Sequence, residues 1–199
     1  MTIPFLFSSD LLFLGYLLAF GAAGLVSFVG AFRARQVSEP DIRRGLVALL
    51  ASSGMWAGTY LGVLLASTPG LKHLFYVVGL IVGFGAVGAW MYFCSAYTGR
   101  SLHRNPTVRR AALLVFAAVA LSKATNPLHG LYFTIEPAAA LFPHLGIDHH
   151  GLYWLSMGLA YALAAVGYFM LLELLMKVGS GGSLGVFAGL TALPALLNA

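Results

Sequence analysis

Residues 74–97 read LFYVVGLIVGFGAVGAWMYFCSAY, and Thr98-Gly99-Arg100 follows. No Asp, Glu, Lys or Arg interrupts the stretch, and as an α-helix it would reach about 36 Å at 1.5 Å per residue. A bilayer core is about 30 Å thick and takes about 20 apolar residues to cross. The stretch therefore predicts a transmembrane helix that closes on a glycine and a basic residue. Moving outward with the same measure predicts spans at about 11–32, 45–67, 110–126, 152–176 and 184–199. The second stops at a Thr68-Pro69-Gly70 turn. The longest connection, residues 128–150, carries Pro137, Pro143, Glu136, Asp148 and four histidines, and is read as an outer loop. The expected fold is all-α, a polytopic bundle of about six transmembrane helices forming one domain over 1–199.

Composition agrees with this reading. Hydrophobic residues make up 60% of the 199 and charged residues only 9%, with a mean hydropathy of +0.89. A soluble domain carries about 25% charged residues, so the partner of this surface is the lipid bilayer. The net charge of +5 does not point to nucleic acid, because the basic residues form no aromatic-interleaved stripe. The single cysteine, Cys94, excludes an internal disulfide. The first apolar stretch is too long for a cleaved signal and lacks a basic leader, so it reads as a retained helix.

Charge placement predicts orientation. Nine of the eleven Lys and Arg (Arg33, Arg35, Arg43, Arg44, Arg100, Arg104, Arg109, Arg110 and Lys177) fall in alternate connections, against Lys72 and Lys123 on the other side. The positive-inside rule then puts the amino terminus outside, in a multi-pass protein of the plasma membrane. The last span reaches Asn198-Ala199 without a basic or aromatic anchor, which predicts a further, seventh helix.

Glycine is abundant, 24 residues, and partly patterned. Gly54, Gly58 and Gly62 form a GxxxGxxxG stripe, and Gly79 and Gly83 repeat the spacing. In lipid, small residues on one face let helices approach and gain dispersion contacts. Packing within the bundle is the plain reading, and homodimerisation through the second helix is the other. Trp56 and Trp90 lie deeper than the interfacial aromatics Tyr97 and Trp154; they are candidates for lining a pocket, with core packing the plainer reading.

Ionisable groups inside a span are costly and are functional candidates by default. Glu173 and Lys177 have the spacing of an i, i+4 pair. Lys123, about one turn from a helix end, is expected to snorkel toward the headgroups. His144, Asp148, His149 and His150 supply the residue types of a zinc or copper site or of a pH sensor, although the spacing matches no metal motif and a solvated or structurally hydrogen-bonded loop is the plainer reading. No catalytic signature occurs, neither HExxH nor GxSxG nor a phosphate-binding glycine loop. No cofactor is firmly implied, and the chain is not expected to be an enzyme.

Trp90-Met91-Tyr92-Phe93 with Tyr97-Thr98-Gly99-Arg100, then Thr125-Asn126-Pro127-Leu128-His129, then Pro194-Ala195-Leu196-Leu197-Asn198 together resemble one family. It is the seven-transmembrane sensor region at the amino terminus of archaeal and bacterial histidine kinases. The second segment resembles that family's TN-x-x-H opening of the outer loop, and the third its P-x-x-x-N in the sixth helix. The resemblance implies a signal-transduction module in which a small ligand or membrane state biases the bundle and a cytoplasmic output domain beyond residue 199 responds. It points to Asn126, His129 and Asn198 near an outer ligand pocket lined by Trp56, Tyr60 and Trp90. Helix capping or an interhelical hydrogen bond is the alternative for the asparagines. A membrane accessory subunit packing in a larger complex, or a small transporter, are the competing functions. The transporter would call for broken helices or midplane charge.

Overall fold

The computed structural model describes residues 3–136 and 146–178, with side chains from 10–135 and 146–177. The expected span at 184–199, and with it Asn198 and His144, lies outside the described residues. Among the described residues there are six α-helices: α1 Ile3–Ala34, α2 Pro40–Leu65, α3 Pro69–Tyr97, α4 Pro106–Ala124, the single turn α5 Asn126–His129, and α6 Gly151–Val178. A 3-10 turn, Leu102–Arg104, joins α3 to α4, and two short strands, β1 Phe133–Glu136 and β2 Gly146–His149, lie between α5 and α6.

Helices α1, α2, α3 and α6 are long and apolar enough to cross a membrane. Helix α4 carries Arg109, Arg110 and Lys123 within 19 residues and is not among those four. It nevertheless runs back along α3. Its start follows the turn at Arg104, whose side chain bonds Asp41 of α2, and its last turn reaches Leu80 of α3. At about 28 Å it has nearly the length of the bilayer core, and Leu113, Leu114 and Leu121 on its outer face are exposed as lipid-facing residues are.

Helix starts are set by proline more than by where the apolar run begins. Pro40, Pro69 and Pro106 each occupy the first turn, where the missing N–H costs nothing and the fixed φ suits the helix. Thr68 Oγ1 accepts from Leu71 N at 3.4 Å, and Asn105 Oδ1 from Thr107 N at 2.9 Å, satisfying first-turn donors. Thr68-Pro69-Gly70, expected as a turn, is thus a helix start, and α2 and α3 are separated by only Ala66 to Thr68. Gly99 and Gly130, at φ 71° and 61°, end α3 and α5 in the left-handed region that glycine enters without steric cost.

The residues expected as an open loop pair instead. β1 and β2 are antiparallel, with Phe133 opposite His149 and Thr134 opposite Asp148. An isolated two-stranded ribbon is marginal in water. This one is anchored by Tyr132 and Phe133, which are 1% and 2% exposed.

Glycines set the close helix contacts, though not along one stripe. A Cβ on Gly54 would meet Phe28 of α1 at 3.1 Å, one on Gly62 would collide with Phe75 of α3, and one on Gly58 would meet nothing within 4 Å. Gly79 and Gly83 receive Thr59 and Trp56 of α2. The stripe on α2 therefore serves two neighbours on different sides. Two further glycines are as tight: Gly45 lies against the Phe93 backbone, and Gly167 of α6 receives the Trp90 ring.

Candidate functional site: a buried lysine under the hairpin

Helix α4 ends beneath the hairpin. Asn126, the first residue of α5, is buried, and its side chain organises the chain that follows. Its Nδ2 donates to Phe133 O at 2.8 Å, while Oδ1 accepts from Tyr132 N at 2.9 Å and Phe133 N at 3.3 Å. These bonds fold the segment back over the end of α4. Because neighbouring strand residues point to opposite sides, Phe133 meets α3 and Tyr132 turns toward α6.

Phe133 sits edge-on to His73 and Tyr76, at centroid distances of 5.6 and 5.1 Å. Tyr132 stands 5.8 Å from the Tyr153 ring and bonds Ser156 of α6. The Ser156 hydroxyl already donates to Tyr153 O, so Tyr132 is the donor. Burial also raises the Tyr132 phenol above its ordinary range, which keeps the proton in place.

Lys123 lies beneath this cover at 3% exposure. Its Nζ donates to Leu80 O at 2.7 Å and stands 5.0 Å from the Phe84 ring and 5.5 Å from the Tyr132 ring. Among the described residues no carboxylate reaches it within ion-pair distance. The expected snorkelling does not occur, because the hairpin closes the route to the headgroups. Burying an unpaired ammonium away from water is costly even near a helix end. One carbonyl and two ring faces offset part of that penalty.

Beside this cluster runs an open groove of about 480 Å³ lined by Gly130, Leu131, His150, Gly151, Leu152 and Leu155. His129, exposed, folds onto its own turn: Nδ1 accepts from Leu131 N at 3.0 Å and Nε2 lies 3.4 Å from Thr125 Oγ1. His149 Nε2 bonds the Tyr76 hydroxyl at 2.7 Å, and its ring stacks 3.7 Å from Tyr153. Burial holds the His149 imidazole below its ordinary pKa, with Asp148 opposing the shift and His150 adding to it. His150 Nε2 lies 3.1 Å from Thr134 Oγ1, and Asp148 is exposed. Among the described residues no three His, Cys, Asp or Glu converge as metal ligands.

The other sequence candidates lie elsewhere. Trp56 and Tyr60 pack on Phe20 of α1, at 5.9 and 4.1 Å, on the α1–α2 side. Trp90 points toward α6, where its Nε1 donates to Ala164 O at 3.2 Å. Asn126 and His129 share the hairpin end, while the three deep aromatics form two separate helix-packing clusters. Sequence reasoning missed Lys123, Tyr132 and Phe133 as a group. The available signal was a lysine followed within ten residues by an asparagine, a glycine and two aromatics.

At the opposite, basic end, charges are paired. Asp41 of α2 accepts from Arg104 at 2.7 Å, His103 at 3.2 Å and Arg44 at 3.4 Å. His103 Nδ1 lies 3.0 Å from Ser95 Oγ of α3. Arg100 bonds Glu173 of α6, and Lys177 lies 2.7 Å from the same carboxylate, as its i, i+4 spacing predicts. Helices α3 and α6 are therefore joined at both ends, and between them by Trp90 seated on Gly167.

Comparison with curated proteins and with solved structures gives no match. A family model described as the N-terminal 7TM region of histidine kinase matches residues 11–197. A match over nearly the whole length, on a bundle with four helices fit to span a membrane, identifies this chain as a member of the histidine kinase N-terminal 7TM family, a membrane sensory module.

Proposed function

We propose that this chain is the input module of a two-component signalling protein of the plasma membrane, with its amino terminus outside and its basic end in the cytoplasm. A stimulus is received at the hairpin end, at the Lys123 cluster under Tyr132, which the groove beside His150 adjoins. It is relayed to a cytoplasmic output domain, and the module itself performs no catalysis. The observation that carries this reading is Lys123, a buried cation held by one carbonyl and two aromatic rings at the junction of α3, α4 and the hairpin.

A bundle transmits only if its stimulus binds two arrangements with different affinity. Helices α3 and α6 are tied at both ends: through Phe133, Tyr132 and His149 of the hairpin, which meet Tyr76 on α3 and Tyr153 and Ser156 on α6, and through Arg100 with Glu173 at the other. A shift of α3 against α6 at the hairpin would be felt at the Arg100–Glu173 pair. Small apolar or amphiphilic molecules suit the groove, whose lining is mostly Leu and Gly. A homodimer or a partner membrane protein would carry the signal onward.

Two experiments test this. Membranes holding the native gene product, incubated with radiolabelled ATP, are expected to show acid-labile phosphate on the product or on a kinase that copurifies with it. Asn126→Ala and His129→Ala should alter that labelling while leaving insertion intact. No phosphohistidine in either protein contradicts the reading. For orientation, a membrane-impermeant thiol reagent added outside is expected to label a cysteine placed at Ser67 and to spare one at Ser38.

A further inference from the structure

At the basic end, the short connection from Arg35 to Glu39 brings the last turn of α1 against the first turns of α2. Between them lies a groove of about 410 Å³ lined by Arg35, Arg43, Arg44, Val47, Ala48 and Ala51. The lining is graded. The arginines occupy the end nearest the connection, and Val47, Ala48 and Ala51 follow on the same face of α2 at three- and four-residue spacing. From Arg43 to Ala51 the face covers about 12 Å at 1.5 Å per residue.

The arginines carry more positive charge than the local acids neutralise. Asp41 is engaged by Arg104 and His103, and Arg44 approaches it only at 3.4 Å. Arg43 spends one N–H on Val37 O at 3.2 Å. Arg35 lies over the Phe32 ring at 5.6 Å. Among the described residues neither Arg35 nor Arg43 has a carboxylate within 4 Å, and Glu39 is exposed without an ion pair. Each guanidinium has five donors in a planar fork suited to phosphate oxygens.

We propose that this groove is a binding site for an anionic phospholipid of the facing leaflet, the phosphate held by Arg35 and Arg43 and an acyl chain lying on Val47, Ala48 and Ala51. The argument for lipid over a soluble anion is the grading itself. A free phosphate has no use for an apolar floor that continues into the membrane span, whereas a phospholipid presents charge and hydrocarbon in that order. Basic residues at the cytoplasmic face of a bundle are attracted to anionic headgroups by about 1 kcal/mol each. A lipid seated here would fix α1 against the start of α2, which also carries the Asp41 network.

The test uses the full chain in mild detergent, examined by native mass spectrometry with phosphatidylglycerol and with phosphatidylcholine of the same acyl chains. Phosphatidylglycerol is expected to bind at least tenfold more tightly. The double variant R35Q/R43Q, which leaves Arg44 and Asp41 in place, should lose about 30-fold in phosphatidylglycerol affinity, equivalent to about 2 kcal/mol at 1.4 kcal/mol per tenfold. R109Q/R110Q, on α4 and outside the groove, should keep the wild-type affinity. Val47→Phe, which fills the floor without touching charge, should weaken both lipids. Equal binding of the two lipids by the wild type overturns the proposal. So does an unchanged preference in R35Q/R43Q, or displacement of the lipid by inorganic phosphate at millimolar concentration.

Discussion

The two ends of the bundle hold their helices by opposite means. At the basic end, charged groups pair across α2, α3, α6 and the turn before α4, with the half-buried Asp41 and the exposed Glu173 as shared acceptors and mostly exposed guanidinium groups as donors. At the hairpin end the ties are buried and uncharged, apart from one lysine with no counter-ion among the described residues. Exposed pairs contribute little and are screened by salt. Buried hydrogen bonds contribute more, and removing one partner leaves the other unsatisfied. The hairpin end therefore sets the packing of α3 and α6, and the basic end is the more readily shifted of the two.

The strongest way to break this contrast is Asn126→Ala. Its three bonds to the Tyr132 and Phe133 backbone disappear within a buried site. At about 1–3 kcal/mol for each buried group left unsatisfied, a loss of about 3 kcal/mol in local stability is expected. Hydrogen exchange in lipid nanodiscs should show the Tyr132 and Phe133 amides exchanging about 100-fold faster, with the amides near Arg100 unchanged.

Lys123→Met should act in the other direction. Replacing an incompletely compensated buried charge by an apolar side chain of similar length is often neutral or stabilising by about 1–2 kcal/mol. Thermal unfolding of the purified variant in detergent should therefore occur at or above the wild-type temperature. A marked fall would mean that the lysine has a counter-ion of its own.

Smaller effects follow from pH and salt. His149 has a folded pKa below its ordinary value, so the folded hairpin favours the neutral ring against Tyr76 and Tyr153. The stability that this supplies is complete above about pH 6.5. It is lost as pH falls from there toward the lowered folded value, because the unfolded hairpin takes up the proton first. Tyrosine fluorescence or exchange at β2 should report loosening as pH falls below about 6.5, and His149→Phe should remove the dependence. Asp41→Asn should have the smallest effect, a slight loss of thermal stability at low salt that vanishes in 0.5 M salt. A large or salt-independent loss would mean that the basic end is held as firmly as the hairpin.

Four of the spans and the Glu173–Lys177 pair were readable in the sequence because each is a local property. An uninterrupted apolar run needs lipid wherever it packs, and Glu173 and Lys177 meet because a helix brings i and i+4 together. Helix starts were less legible: counting apolar residues missed Pro40 and Pro69, whose backbone chemistry begins a helix before the hydrophobic run. What remained hidden was tertiary. Lys123 reads as a headgroup lysine until Asn126 folds Tyr132 and Phe133 over it. The GxxxG spacing reports small residues but not which neighbour each one meets, and Gly45 and Gly167, outside any such pattern, make contacts as close. Trp56 and Tyr60 pack on Phe20 of α1 whereas Trp90 packs on α6, which no linear pattern records.

The central claim is that the cluster around Lys123 is where the module receives its stimulus, and the Lys123→Met variant tests it most directly. Phosphohistidine formation should be compared in native membranes carrying wild-type and variant protein at equal abundance. The variant is expected to insert normally and to unfold at or above the wild-type temperature, while its phosphorylation is fixed at one level, at least fivefold from the wild-type response range. Phosphorylation that tracks the wild type across growth conditions would contradict it and move the input site away from Lys123.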